Sequence, residues 1–277
     1  MPLKTILVHV EAEPTPDPRL ALAIDIANRF DASLLGVGAE LYQNAYSGDG
    51  GFDGGYMIAA ETERVDADLK RAEAKFRAVA GAVRQGSAWR SGVRFPLAEL
   101  AADARAADLV VASLGARPHV SQYEVALPGA LVLQVGRPVL VAPPGMAGLN
   151  AAHVLVAWKD TRESRRAVAD ALPFLQRAET VEVVEICDSK AAQPATTSRL
   201  DDVAAYLTRH GVKATVKAHI AERDAAAAEQ LLEIAEQQAA DLIVAGAYGH
   251  SRLQEWVFGG FTRALLTQTG RPVLFSH

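Results

Sequence analysis

One cysteine, Cys187, is all that the 277 residues hold, so no disulfide can form within the chain, as suits a reducing compartment. An excess of basic charge is also missing. The formal net charge is −5, which leaves no electrostatic footprint for nucleic acid or for an anionic membrane surface. No apolar run approaches the roughly 20 residues that span a bilayer, and the run ahead of Glu11 is too short for a signal peptide. A soluble cytoplasmic protein is expected. Catalytic signatures are scarce too. None of the seven histidines stands in a His-x3-His pair, and a single thiol rules out Cys-x2-Cys, so no metal site is expected. Ser251 and Ser276 lack the G-x-S-x-G setting of a nucleophile elbow. The stretch Ser47–Tyr56 (SGDGGFDGGY) lacks the Gly-Lys-Ser/Thr ending of a Walker loop. It reads as a flexible connector or as a lid over a site at the strand ends.

What is present is a steady alternation of short apolar runs and amphipathic stretches. Half of the residues are hydrophobic, enough for each half of the chain to bury a core. Runs that suit parallel strands buried on both faces occur at Thr5–Val10, Ser33–Val37, Leu109–Ser113 and Pro138–Val141, with another near Ala88–Arg94. Helical spacing runs through Arg19–Phe30, and helices are also predicted at Ala60–Val83, Leu97–Ala106 and Ala130–Gln134. Ala142–Ala151 (APPGMAGLNA) reads as a linker, after which the alternation restarts. Strands are predicted at His153–Trp158, Val181–Ile186, Lys213–His219, Leu242–Ala245 and Pro272–Phe275. Helices are predicted at Glu163–Leu175, Leu200–His210, Ala225–Gln238 and Phe261–Thr269.

The restart is a repeat. AADLVVA at Ala106–Ala112 recurs as AADLIVA at Ala239–Ala245, and GRPVLVAP at Gly136–Pro143 recurs as GRPVLFSH at Gly270–His277. The offsets are 133 and 134 residues, and two matches at nearly one offset mark a duplicated unit. The expected fold class is α/β, with two tandem doubly wound parallel-sheet domains at 1–145 and 151–277 and helices on both sheet faces. Ligands of such sheets sit beyond the carboxyl ends of the strands. Trp158-Lys159-Asp160 and Gly246–Gly249 fall there, and the two stretches are expected to face one crevice.

The richest stretch is Gly246–Thr262 (GAYGHSRLQEWVFGGFT). A buried strand that ends in glycines and leads into a helix suits an anion, because glycine lets the backbone approach and helix N-terminal N–H groups point at it. The same glycines also serve tight turns. Nearby, Arg162-Glu163 and Arg165-Arg166 open a helix, where cations face the positive end of the macrodipole. They read as a solvated face or as a screen for bound polyphosphate. His9 reads as a partly buried, satisfied histidine, Cys187 as a small buried apolar residue, and Trp256 and Phe258 as core.

Gly246, Gly249 and Gly259 fill the first three positions of G-x2-G-x9-G-[S/T], the nucleotide loop of the universal stress proteins, with Gly260 in the fourth. The whole chain resembles a tandem member of that family, most strongly from His153 to His277. The resemblance implies Rossmann-like domains related by a pseudo-twofold axis, with Pro138–Val141 and Pro272–Phe275 paired antiparallel. It also implies an adenine nucleotide, ATP or else ADP or AMP, with Mg2+ accompanying the triphosphate. Gly246, Gly249, His250, Gly259, Gly260 and Phe261 would line the phosphates, and Thr262 would add a hydroxyl. The ribose-side acid of the family falls on Lys159, with Asp160 next to it, and the adenine-contacting backbone falls near Ile186. Lys159 and Gly260 both depart from the family pattern, each at the expense of one hydrogen bond.

In the first half the corresponding loop positions are Ser113, Ala116, Val125 and Ala126. No motif glycine survives there, and Arg117-Pro118 stiffens the loop, so this half is expected to act as a packing partner without nucleotide. The function implied is that of a stress-response regulator which binds ATP without vigorous catalysis and acts on a protein partner. A slow ATPase, an adenylyl-transferring enzyme and a ligand-free interaction module are the alternatives. An intrachain pseudo-dimer is expected, with further homodimerisation left open.

Overall fold

The computed structural model describes residues 2–13, 16–42, 54–113, 128–222, 227–248 and 260–277, with the backbone alone at 54–58 and 268. The first half runs β1 (Thr5–His9), α1 (Pro18–Phe30), β2 (Ser33–Glu40), α2 (Gly54–Ala80), β3 (Ser87–Val93), α3 (Pro96–Asp103), β4 (Leu109–Ser113), α4 (Pro128–Gln134) and β5 (Val139–Ala142). The second half repeats the order with β6 (His153–Ala157), α5 (Arg162–Leu175), β7 (Thr180–Cys187), α6 (Gln193–Arg209), β8 (Ala214–Ile220), α7 (Ala227–Gln237), β9 (Leu242–Gly246), α8 (Gly260–Gln268) and β10 (Val273–Ser276). Every predicted strand and helix is present, with ends that shift. The largest shift is α6, which starts at Gln193 with a proline in its first turn, well ahead of the apolar periodicity that begins at Leu200. Proline suits that position because the first helical N–H groups have no partner within the helix.

The strands form one sheet of ten, in the order β3-β2-β1-β4-β5-β10-β9-β6-β7-β8. Neighbours within each half are parallel. The halves join through β5 and β10, which run antiparallel with Val273 opposite Val141 and Phe275 opposite Val139. This is the pairing the family resemblance implies, and it fuses the two sheets expected from the alternation pattern into a single one. The helices α1, α2, α5 and α6 pack on one face around Ile26, Phe76, Phe174 and Leu200. The other four pack on the opposite face around Leu100, Leu131, Leu231 and Leu265. Among the described residues no helix is long and apolar enough to cross a membrane.

The duplicated motifs have a structural cause. Asp108 of the first AAD accepts the backbone N–H groups of Lys4 and Thr5 at 2.8 and 2.9 Å. Asp241 of the second does the same for Ala152 and His153, at 2.9 and 2.8 Å. Each aspartate therefore pins the start of the first strand of its half to the start of the fourth. Across the joint, Phe30 of α1 and Phe174 of α5 meet edge to face at 4.8 Å, and the Arg177 guanidinium lies 4.4 Å from the centre of the Phe30 ring.

The halves differ mainly in one place. β2 and β7 begin 147 residues apart, whereas β3 and β8 begin 127 apart, so the first half carries 20 more residues between its second and third strands. Ser47–Tyr56 lies in that insertion. Its last residues, Gly54-Gly55-Tyr56, open α2, and the rest lies outside the described residues.

Candidate functional site

In the second half, β6 leads through α5 to β7 on one side of it, while β9 leads through α8 to β10 on the other. The carboxyl ends of β6 and β9 lie side by side, with Ala157 opposite Ala245. Connections that diverge in this way open a crevice above the sheet, the usual ligand position in doubly wound folds.

The turn after β6 is tightly built. Thr161 has extended backbone and its hydroxyl caps α5 by accepting the Ser164 N–H at 3.3 Å. Ser164 Oγ accepts the Lys159 N–H at 3.2 Å. This capped turn packs directly on Gly246. A Cβ at Gly246 would sit 2.6 Å from Ser164 N and 2.7 Å from the Glu163 carbonyl carbon, so glycine is required there by packing, whatever it does for a ligand.

Glu163 is buried beside that contact, with a side chain only 3% exposed, and is paired with Arg162. Burial by itself would raise the Glu163 pKa. Hydrogen bonds from Arg162, from its own backbone and from Thr161, with the Arg162 charge, outweigh burial and hold it below the ordinary 4.5. A carboxyl with a lowered folded-state pKa contributes stability that is present above its unfolded pKa and lost as pH falls through the folded value. Glu163→Gln is therefore expected to lower the urea midpoint near neutral pH, and the gap to the natural chain should close as pH falls through the folded value. A gap that persists below it would mean that packing, not charge, is lost.

The predicted site residues fall into three groups. Ile186 and Phe261 lie at the carboxyl edge on the α7–α8 side, where with Tyr248 they pack against that face's core, whereas Gly246 ends β9 facing the α5 turn on the other side. Trp158 N–H makes the last β6–β7 bond, to Val184 O at 2.8 Å. By strand alternation Ile186 turns its N–H and C=O to the same side, past the end of β6. Gly260 is exposed at the start of α8, and among the described residues a Cβ there meets nothing within 4 Å. Lys159 and Asp160 form the second group, exposed on the crest. Asp160 is paired with Arg165 at 2.8 Å, so neither Arg162 nor Arg165 stands free as a screen for polyphosphate. Thr262 is 3% exposed inside α8, which places its hydroxyl within the packing of the helix. Gly249, His250 and Gly259 lie outside the described residues, as do Trp256 and Phe258 and the first-half positions 116–118 and 125–126. Ser113 ends β4 as Gly246 ends β9.

Two features were not legible beforehand. Tyr248 has a left-handed backbone, φ 60°. Burial pushes its phenol up to about 12, and its ring meets His277 edge to face at 6.2 Å. His277 donates through Nδ1 to Ala247 O at 3.0 Å, which ties the end of β10 to the loop leaving β9. The position of Tyr248 between two motif glycines was the available signal. Glu163 was hidden among four charges, although Thr161-x-x-Ser164 ahead of an apolar helix marked the cap.

Two cavities flank the crest. One, of about 520 Å³, lies between the first turns of α7 and α8 and includes Phe261 and Arg263. The other, of about 410 Å³, lies on the opposite face between α5 and α6, beside Trp158 and Tyr206.

The fold and this edge define a tandem α/β protein with a switch-point crevice in its second half. Residues 151–277 match the family model described as Universal stress protein family, which makes the second half a domain of that family. The chain is similar in fold to a universal stress protein from Archaeoglobus fulgidus, with 14% identity and a TM-score of 0.69 over 98% of this chain and 95% of that one. It is also similar to a functionally unknown protein from Pseudomonas aeruginosa, with 13% identity and a TM-score of 0.60 over 99% and 92% of the two chains. At these identities the likeness establishes the fold of the whole chain. No curated protein matches it.

Proposed function

We propose that the second half binds an adenine nucleotide, ATP with its Mg2+, and that the chain is a ligand-responsive regulator of the stress response that turns over little of it. The observation that carries this reading is the opening of α8 at the switch point of a universal stress protein domain. Its first residue, Gly260, is exposed, and no described residue crowds it, so its first-turn N–H groups can meet phosphates. The Ile186 backbone edge suits an adenine ring, and exposed Lys159 offers a cation to the phosphates where the family offers an acid to the ribose. ATP supplies the phosphate charge. The chain supplies the cradle, and binding would stabilise one conformation of the second half for a protein partner.

Denaturing the purified protein and analysing what it releases by ion exchange, followed by calorimetric titration with ATP, tests the reading. About one nucleotide per chain is expected, with the first half silent. Gly260→Ser restores the family's hydroxyl in open space and is expected to tighten ATP binding roughly tenfold, the worth of one charge-assisted hydrogen bond. Two nucleotides per chain would overturn the silent first half. None at millimolar ATP, with Gly260→Ser equally inert, would leave an interaction module with a retired site.

A further inference from the structure

The ten-stranded sheet ends in β3 on one side and in β8 on the other, and the two edges are built differently. Ala221 N–H donates inward to Cys187 O at 2.8 Å, so by strand alternation Ala214, Val216, Ala218 and Ile220 turn their backbone groups away from β7. Two of those outward carbonyls are taken. Gln193 of α6 donates to Ala218 O at 3.1 Å, and Gln230 of α7 donates to Ile220 O at 2.9 Å. A glutamine thus reaches round the edge from each sheet face, which blunts β8 against pairing with another sheet.

β3 carries no such cover among the described residues. Leu34 N–H donates to Gly86 O at 3.1 Å, so Ser87, Trp89, Ser91 and Val93 present their N–H and C=O groups outward. No described side chain bonds to these groups. Ser91 is exposed, Val93 is 38% exposed, and Phe95 just beyond the strand is 39% exposed. A bare edge with apolar side chains at one end is a template for a further strand.

We propose that β3 is the contact through which two copies of this chain pair, antiparallel about a twofold axis at Ser91. An isologous contact of this kind closes on itself. The alternative, β3 of one copy on β8 of the next, would propagate as a filament, and the two glutamines on β8 oppose it. The charges on β3 fit one register. With Ser91 opposite itself, Trp89 lies opposite Val93 of the other copy, and Arg90 lies opposite Gly92. Glu99 sits over Gly92, where a Cβ would come 2.8 Å from its Oε1, and within its own copy it meets Arg94 only at 3.7 Å. Arg90 of the other copy therefore arrives beside an acid, while Arg94 arrives opposite Ala88. Centring the pair on Arg90 would set that arginine against itself, and centring it on Gly92 would set Arg90 against Arg94. Like charges directly opposite destabilise a strand pair. This contact lies in the first half and does not depend on the nucleotide reading.

Sedimentation equilibrium of the full chain tests the proposal. One strand from each copy makes a small contact, so a dimer with a Kd on the order of 10 μM is expected. Ser91→Pro removes the outward N–H at the axis, at an edge position where proline is tolerated, and Val93→Lys puts a charge into the apolar pair. Each is expected to raise the Kd about tenfold or more and to leave the urea midpoint of dilute protein unchanged. Cysteine variants check the register. Hydrogen-bonded neighbours across a strand pair lie about 5.5 Å apart, within disulfide reach, and the natural Cys187 is buried. Diamide should therefore link Ser91→Cys chains in pairs and leave Ser87→Cys chains, with their thiols on opposite flanks of the axis, unlinked. Monomers at about 100 μM, assemblies that keep growing with concentration, a dimer indifferent to both Ser91→Pro and Val93→Lys, or equal linking of the two cysteine variants would each overturn the proposal.

Discussion

Phe275→Ala is expected to cost about 3–5 kcal/mol, the range for deleting a large aromatic side chain from a packed core. Phe275 is fully buried in β10. It lies opposite Ala245 of its own half and Val139 of the other, in the core cluster that both halves share. The cavity would therefore open at the joint itself, where neither half can collapse without shifting the other. Urea unfolding followed by circular dichroism measures the loss. Leu133→Ala, at a residue 45% exposed, should change stability by about 0.5 kcal/mol or less. A Phe275→Ala chain as stable as the Leu133→Ala chain would mean that β5 and β10 are not packed together.

Gly246→Val is the second large effect, expected at about 3 kcal/mol or somewhat more, with Gly246→Ala nearer 2. The atoms that a new Cβ would meet are backbone, Ser164 N and the Glu163 carbonyl carbon, and both belong to a capped helix turn. A flexible side chain could swing away, but this turn can relieve the overlap only by moving α5. The practical result concerns the ligand: a nucleotide-binding loss in Gly246→Val reads out folding as much as contact. Gly260→Ser, placed in open space, separates the two. A Gly246→Val chain with an unchanged melting temperature would show that α5 does not press on β9 as described.

The alternation of apolar runs was enough to place the strands and helices, because parallel strands buried on both faces leave an unbroken hydrophobic signature. The AAD and GRP repeats betrayed the duplication because each copy does the same local work, pinning a strand start in the case of Asp108 and Asp241. Contacts between distant segments were not legible in that way. Gly246 looked like a phosphate glycine, and its neighbour turned out to be a helix turn about 80 residues earlier. Arg162 and Arg165 looked like surplus cations, and their acids sit within the same turn of chain. Which side of the sheet Trp158 and Ile186 would serve depended on where β6 and β7 stop, and periodicity does not date a strand end to one residue.

The antiparallel seam between β5 and β10 has a consequence for how such a chain can change over time. In a pair of identical subunits, every substitution is made twice, so nothing can be altered at one ligand edge without altering the other. Here the strands of the two halves point in opposite directions across the seam, and their carboxyl edges open at opposite ends of the molecule. Joined in one polypeptide, the ends answer to separate stretches of coding sequence. Ser113 can end its strand at one pole while Gly246 ends its own at the other. The molecule thereby acquires a head and a tail, and a partner that grasps it can tell which end it holds.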